Sequence, residues 1–411
     1  MRRHHYSKQD LSKMNVQKLT SSISTNVEVA KKSYRRKLFN PGRVARVSAI
    51  ATTLALLPAH HAFADADDRN QQILPFQTFT ESTVPSNGDV NPYGVAFVPP
   101  DFPAGGVLNP GDLLVSNFNN NQNIQGTGTT IIRVTPNGQT SLFFQGSAPL
   151  GLSTGLAVLK AGFVLVANCP TNNLPTVPGA LLGSLLLIDK NGNLAAPPLV
   201  SSFIQGPWDF TVQDDGAKVK VFISNVVNGT VSRLDLSFNG GTLAVQNAAV
   251  IASNYMHRVD PATFEVGPTG LAYDARRDIL YVASTGDNEV FAVRNAGSRA
   301  NSEGTGRVVY ADNVHLHGAL AMVLAPNGHL LVSNSDGINP DPNQPSEIVE
   351  FTVQGQFIGQ LSVDPAQGGS FGLNIVKVSD DVVRFAAVDD NANTITIWKL
   401  NTANLTDPQR N

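Results

Sequence analysis

An all-β chain closed into a six-bladed β-propeller is the fold this sequence predicts, and three observations carry the prediction. A three-strand unit recurs six times at intervals of roughly 50 to 60 residues, the blade length of a propeller. Gly, Pro and Asn punctuate every element, and no stretch of useful length has the apolar period of a helix. An orphan strand, Ile73-Leu-Pro-Phe-Gln-Thr-Phe79, precedes the first unit, while the last unit lacks a fourth strand. That strand is expected to complete the last blade, closing the ring and protecting its sheet edges.

Each unit runs from a Gly-started apolar strand to a second strand ending in small and Asn or Asp residues, then through a Gly/Asn turn to a third. The first reads Tyr93-Gly-Val-Ala-Phe-Val98, Asp112-Leu-Leu-Val-Ser-Asn117 and Thr130-Ile-Ile-Arg-Val134. The second reads Thr154-Gly-Leu-Ala-Val158, Phe163-Val-Leu-Val-Ala-Asn168 and Ser184-Leu-Leu-Leu-Ile-Asp189. In the third, Trp208-Asp-Phe-Thr-Val212 leads to Val221-Phe-Ile-Ser-Asn225 and Gly229-Thr-Val-Ser-Arg-Leu234. The fourth has Pro268-Thr-Gly-Leu-Ala-Tyr273, Ile279-Leu-Tyr-Val-Ala-Ser284 and Asn288-Glu-Val-Phe-Ala-Val293. The fifth has Ala319-Leu-Ala-Met-Val323, His329-Leu-Leu-Val-Ser-Asn334 and Glu347-Ile-Val-Glu-Phe351. The sixth has Phe371-Gly-Leu-Asn-Ile375, Val383-Arg-Phe-Ala-Ala-Val388 and Thr394-Ile-Thr-Ile-Trp398. Fourth strands are expected at Ser141–Phe144, Leu199–Phe203, Ala249–Ala252, Arg307–Tyr310 and Phe357–Leu361.

Ahead of the repeats, residues 1–46 are polar and basic, and they run into the apolar Val47-Ser-Ala-Ile-Ala-Thr-Thr-Leu-Ala-Leu-Leu-Pro58 and the small-residue Ala62-Phe63-Ala64. This is the order of an export signal, expected to be cleaved near Ala64. An apolar stretch of about a dozen residues is too short to span a hydrocarbon core, so no integral membrane segment is expected in the mature chain. Arg35-Arg36 resembles the pair of a twin-arginine signal, leaving two export routes open to the periplasm or the exterior. The domains are thus a leader at 1–64, the propeller at 65–400 and a polar tail at 401–411. The lone Cys169 forms no internal disulfide, so the core alone must hold the mature fold in an oxidising compartment. Lys and Arg number 29 against 32 Asp and Glu, which gives no basic field for nucleic acid.

The segment Gly267-Pro-Thr-Gly-Leu-Ala-Tyr273 followed by Ile279-Leu-Tyr-Val-Ala-Ser-Thr-Gly-Asp-Asn288 resembles NHL repeats. It also resembles, more distantly, the six-bladed senescence-marker/gluconolactonase group, and the whole arrangement resembles exported bacterial propellers. In the gluconolactonase group the resemblance implies acidic and Asn metal ligands just ahead of the first-strand Gly. This chain has Tyr93, Thr154, Trp208, Thr269 and Phe371 there, with Asp209 one place later, which argues against a calcium or zinc lactonase of that type.

Residues before the starting Gly and after the second strand converge on one face, which with the channel is the expected ligand surface. Tyr93, Trp208, Asp209 and Arg258 are candidates there, with Asn117, Asn225 and Asn334 from the second-strand ends. A ring of such side chains would suit a hard cation or sugar hydroxyls, or would serve the turns themselves. Trp208 suits either a stacking platform or the core.

Three histidines, His257, His315 and His317, precede first strands of adjacent blades and offer the alternative of one divalent transition metal. Propeller lyases of the peptide-amidating kind resemble this in drawing His from separate blades, although their full motif is not recognisable here. His329, in the turn Pro326-Asn-Gly-His329, is expected to face solvent. Asn254–Glu265, carrying Tyr255, Arg258, Asp260 and Glu265, is expected to be the longest irregular insertion on that face. The leading expectation is an exported module that binds a small molecule, a glycan or a peptide or protein at the channel face. The alternative is a metal-dependent lyase or hydrolase using the three histidines, with Arg258 or Tyr255 assisting.

Overall fold

The computed structural model describes residue 73 and residues 79–147, 150–171, 182–239, 241–260, 263–344, 346–379 and 381–401. The expected leader, residues 74–78 and most of the polar tail lie outside the described residues. Within them the chain is all β, without a helix, and forms a six-bladed propeller.

Each blade is an antiparallel meander whose first strand is innermost. Blade 1 comprises Val90–Phe97, Leu113–Asn119, Thr130–Val134 and Thr140–Gln145. Blade 2 comprises Leu152–Leu159, Phe163–Asn168 and Ser184–Asp189. Blade 3 comprises Pro207–Asp214, Lys218–Asn225, Thr230–Asn239 and Thr242–Ala252. Blade 4 runs through Pro268–Asp274, Ile279–Ser284, Glu289–Arg294 and Arg307–Tyr310. Blade 5 runs through Ala319–Leu324, His329–Asn334, Glu347–Thr352 and Phe357–Ser362. Blade 6 takes Ser370–Ser379, Val382–Asp389 and Thr394–Asn401 from the C-terminal side, and Phe79–Ser82 pairs on its outer edge, Phe79 opposite Ile397. A closing strand therefore exists, described from Phe79 to Ser82, while residues 74–78 of the expected strand lie outside the described residues.

The inner strands lie side by side around the channel, each against the next and the sixth against the first. This crowding explains the recurrent first-strand Gly. A Cβ on Gly372 would collide with the Tyr93 carbonyl, and one on Gly270 with the Leu320 carbonyl. The second strands are apolar on both faces because each is covered by a blade on either side. In blade 1, Leu113 and Val115 pack against Ala386, Val388 and Ile395 of blade 6, while Leu114 turns to Leu156, Val164 and Leu186 of blade 2. Equivalent clusters fill the other junctions. Stability thus comes from apolar burial between blades, at roughly 25 cal/mol for each Å² removed from water.

Three expectations are corrected. The fourth strand expected at Leu199–Phe203 does not form: Leu199 makes only an isolated bridge to Leu185, because the chain turns just after it, the Ile204 N–H donating to the Ser201 carbonyl at 3.0 Å, and Pro197 and Pro198 before it have no N–H to extend the ladder the other way. The insertion at 254–265 is partly regular, folding into a hairpin of Arg258–Asp260 with Phe264–Val266. His329 does not face solvent. It is only 3% exposed, with Nδ1 2.6 Å from Oε1 of the wholly buried Glu350. The turn makes it look polar and free, but His329 opens a second strand whose side chains lie between blades.

Candidate functional site

On the face where the inner strands begin, the channel is stopped by an aromatic plug. Tyr93, Phe118, Trp208, Phe264 and Leu320 pack together there with Val226, and Phe371 lies against them. The Tyr93 and Phe371 rings stack with centroids 5.0 Å apart, Trp208 meets Tyr93 edge-on at 5.8 Å, and Phe264 stacks on Trp208 at 6.2 Å. The indole N–H of Trp208 donates to the Tyr93 hydroxyl at 3.0 Å. Trp208, 4% exposed, thus belongs to the packed plug. Burial pushes the Tyr93 phenol well above its ordinary range, so it stays neutral.

The plug separates two cavities, and Tyr93 lines both. The one inside the channel, about 310 Å³, is walled by equivalent inner-strand positions of all the blades, such as Val95, Leu156, Phe210, Leu271, Met322 and Leu373. Its lining is the repeat itself, apolar side chains with polar groups at Asp209, Thr211 and Asn374 among them. Burial pushes the Asp209 carboxyl up to about 7, although it accepts the Phe210 N–H at 2.8 Å. Sequence reasoning grouped Asp209 with Trp208 at the mouth; the structure puts it on the inner side of the plug.

The second cavity, about 230 Å³, lies at the mouth and is lined by strand ends and loop residues that differ from blade to blade. Asn91, Gln125, Thr263, Thr285 and Ser335 surround it, Glu265 and Asp390 bring carboxylates, and Phe118, Trp208 and Phe371 lie beneath. No Lys, Arg or His stands among its described lining residues. Asn91 and Thr263 carry side-chain oxygens, Oδ1 and Oγ1, that are buried without a hydrogen-bond partner among the described residues. Burial pushes Asp390 up to about 7, and the neighbouring Asp389 adds to it. Glu265 is delivered by the hairpin. Phe264 before it adopts φ 70°, a left-handed conformation that is strained for a bulky residue, and its ring is thereby seated in the plug.

The strand-end asparagines are wholly buried and hold the loops of their own blades. Asn117 Nδ2 donates to the Thr83 carbonyl at 3.0 Å. Asn225 Oδ1 accepts the Gln205 N–H at 2.9 Å while its Nδ2 reaches Ser232 Oγ at 3.1 Å. Asn334 Oδ1 accepts the His317 N–H at 3.0 Å, and its Nδ2 donates to the His315 carbonyl at 2.8 Å. Arg258 pairs with Asp260 at 3.0 Å on the hairpin. Tyr255 is buried, its hydroxyl donating to the Thr305 carbonyl at 3.0 Å.

The three histidines occupy three environments. His257 is exposed, with Nδ1 3.0 Å from the Tyr255 carbonyl. His315 stacks on Phe357 with centroids 3.8 Å apart, and its Nδ1 lies 2.5 Å from Asp312 Oδ2. His317 is buried, with Nδ1 2.6 Å from the Asn339 carbonyl. That carbonyl accepts from Nδ1, and Nε2 has no hydrogen-bond partner among the described residues. Glu347 is buried too, and burial, helped by Asp336 and Asp341, pushes it up to about 7. Among the described residues no three His, Cys, Asp or Glu side chains gather as a metal site. The positions ahead of the first-strand Gly, where the gluconolactonase resemblance implies ligands, hold plug residues Tyr93, Trp208 and Phe371, which do not fit a metal. Cys169 is buried, and desolvation followed by the nearby Glu265 raises its thiol far above the ordinary range.

Fold and site together define a six-bladed β-propeller with a plugged channel and a small pocket at its mouth. No family model matches the chain, and no curated protein matches it. Among solved structures it is similar to a gluconolactonase from Xanthomonas campestris, at 12% identity over 80% of this chain and 98% of that one, with a TM-score of 0.49. It is also similar to regucalcin, a calcium-binding protein from Agrobacterium tumefaciens, at 12% identity over 78% of this chain and 94% of that one, with a TM-score of 0.47.

Proposed function

We propose that this protein is an exported propeller whose channel-mouth pocket binds a small molecule. The observation that carries the reading is the contrast between the two cavities. The channel interior is walled by equivalent positions of the inner strands, whereas the mouth pocket is built from strand ends and loops whose side chains differ from blade to blade. Polar groups set by irregular loops over a rigid scaffold are the usual form of a recognition site. At about 230 Å³ the pocket is below the range of roughly 300–1,000 Å³ seen for drug-sized ligands, which favours a metabolite-sized guest over a peptide. Export is supported by the basic, apolar and small-residue order of residues 1–64.

The test is a thermal-shift screen of the full chain against sugars, amino acids, amines and small carboxylates, repeated on Gln125→Trp, which fills the pocket from its wall. Ligands that raise the melting temperature of the parent chain and not of the filled variant support the reading. A screen in which every stabilising compound acts equally on both chains would overturn it.

A further inference from the structure

Beneath the plug the channel is bordered by hydrogen-bond donors that no sheet uses. Each inner strand lies at the end of its sheet and pairs on one side only. In an antiparallel ladder alternate residues turn N–H and C=O to the partner strand, and those between turn theirs away. The Gly94, Asp209 and Ala321 N–H groups each donate at 3.0 Å to a serine hydroxyl of the second strand, Ser116, Ser224 and Ser333. The next residues, Val95, Phe210 and Met322, therefore turn their N–H groups to the channel. Leu156, Leu271 and Leu373 are their equivalents in blades 2, 4 and 6, since in every blade this residue pairs first after the inner strand's register shift. All six line the channel cavity.

Two of these donors already hold an acceptor, and it is a carboxyl. The Phe210 N–H donates to Asp209 at 2.8 Å, and the Leu271 N–H bonds to the same group. Asp209 thus serves blades 3 and 4, while the N–H groups of blades 5, 6, 1 and 2 have no acceptor among the described residues. Inward carbonyls are partly taken up elsewhere. Those of Tyr93 and Leu320 press on Gly372 and Gly270 of neighbouring inner strands, and that of Val95 accepts the Asn374 amide at 3.0 Å. Sheet-edge N–H groups around a concavity form an anion site, and an ionised acceptor bonds about twice as strongly as a neutral one. The titratable groups lining the channel are Asp209, Tyr93 and Tyr273, with no Lys, Arg or His among the described lining. Burial raises all three, which keeps both phenols neutral and leaves Asp209 uncharged in mild acid.

We infer that the channel beneath the plug holds one small monovalent anion of halide size, on the N–H groups of Val95, Leu156, Met322 and Leu373. The ion lies opposite the arc that Asp209 serves and ties the inner strands of four blades at one level.

The experiment uses bromide. Crystals of the full chain are soaked in bromide and anomalous diffraction is collected at the bromine edge. Melting curves are recorded in parallel as bromide replaces the bulkier methanesulfonate at constant ionic strength. One anomalous peak is expected in the channel, within hydrogen-bond reach of the four N–H groups, with a melting temperature that rises with bromide concentration. The affinity read from that rise should fall about tenfold or more between about pH 5.5 and about pH 8.5, because ionised Asp209 repels the ion. In Asp209→Asn the fall should vanish. A channel without an anomalous peak would overturn the inference, since water would then be the acceptor. So would a peak at soak concentration with no shift in solution, which would make the ion adventitious, or a bromide shift equal at both pH values in the parent chain.

Discussion

Trp208 donates its indole N–H to the hydroxyl of Tyr93, 115 residues away in the chain, at 3.0 Å. The bond joins the inner strands of blades 1 and 3 across the channel, so the plug acts as a tie between blades as well as a floor for the pocket. Tyr93→Phe keeps the ring and removes the acceptor. A loss of about 1 kcal/mol in denaturant unfolding is expected, with a shifted Trp emission maximum in the folded state. Trp208→Ala leaves a cavity and should cost about 3–5 kcal/mol.

Asp209, Glu347 and Asp390 are each raised to about 7 in the folded chain, above ordinary values of 3.8 for Asp and 4.5 for Glu. The folded state therefore still holds part of three protons at neutral pH, where the unfolded state has lost them. Their stabilisation is complete below about pH 4, declines as pH rises, and is gone above about pH 8. The melting temperature should be lower at pH 8 than at pH 5.5, measured calorimetrically in buffers of equal ionic strength. In Asp390→Asn the drop should be smaller. A flat profile between these pH values would refute the assignment.

Asn225→Ala separates the two roles considered for the strand-end amides. It removes hydrogen bonds to Gln205, Thr230 and Ser232 inside blade 3. Expected is a stability loss of about 1–3 kcal/mol, with the affinity of any pocket ligand unchanged in calorimetry. Weakened binding at unchanged stability would restore the amide to the ligand surface.

Glu350 receives the N–H of Ile73 on both carboxylate oxygens, at 3.1 and 3.0 Å, besides meeting His329. Glu350→Ala leaves the buried imidazole without that partner and releases the segment ahead of the closing strand. A loss of about 3–5 kcal/mol is expected in urea unfolding, together with faster proteolysis near residue 73. Glu350→Gln should lose less.

Cys169 should ignore a thiol reagent. Burial keeps it protonated and covered, so absorbance of the released chromophore should rise only when the chain unfolds, and then by one equivalent per chain.

The blades were readable because their physics is local. Gly270 and Gly372 mark inner strands because the neighbouring backbone leaves no room for a side chain, and the strand-end Asn marks the loop it holds. Where the chain departs from the repeat, reading failed for identifiable reasons. The turn from Ser201 to Ile204, with Pro197 and Pro198 on the other side of Leu199, reduces the fourth strand of blade 2 to a bridge, although Leu199–Phe203 has a strand's composition. His329 was misread because its partner, Glu350, is contributed by the next strand. The pocket was half legible. The rule that residues before the inner strand and after the second strand converge points to Asn91 and Asp390 as readily as to Tyr93 and Asp389, and Glu265 stood in the insertion already singled out. What the sequence lacks is depth: nothing in the pattern tells that Asp209 lies inside the plug and Asp390 outside it.

Blade 6 borrows its outer strand from the far side of the chain, with Thr80 and Thr396 joined across 316 residues. During synthesis the early blades stack while Phe79–Ser82 has nothing to pair with, so the nascent protein is an open arc with two unsatisfied ends. Its last step is a long-range docking event that cannot precede translation of Thr394–Asn401.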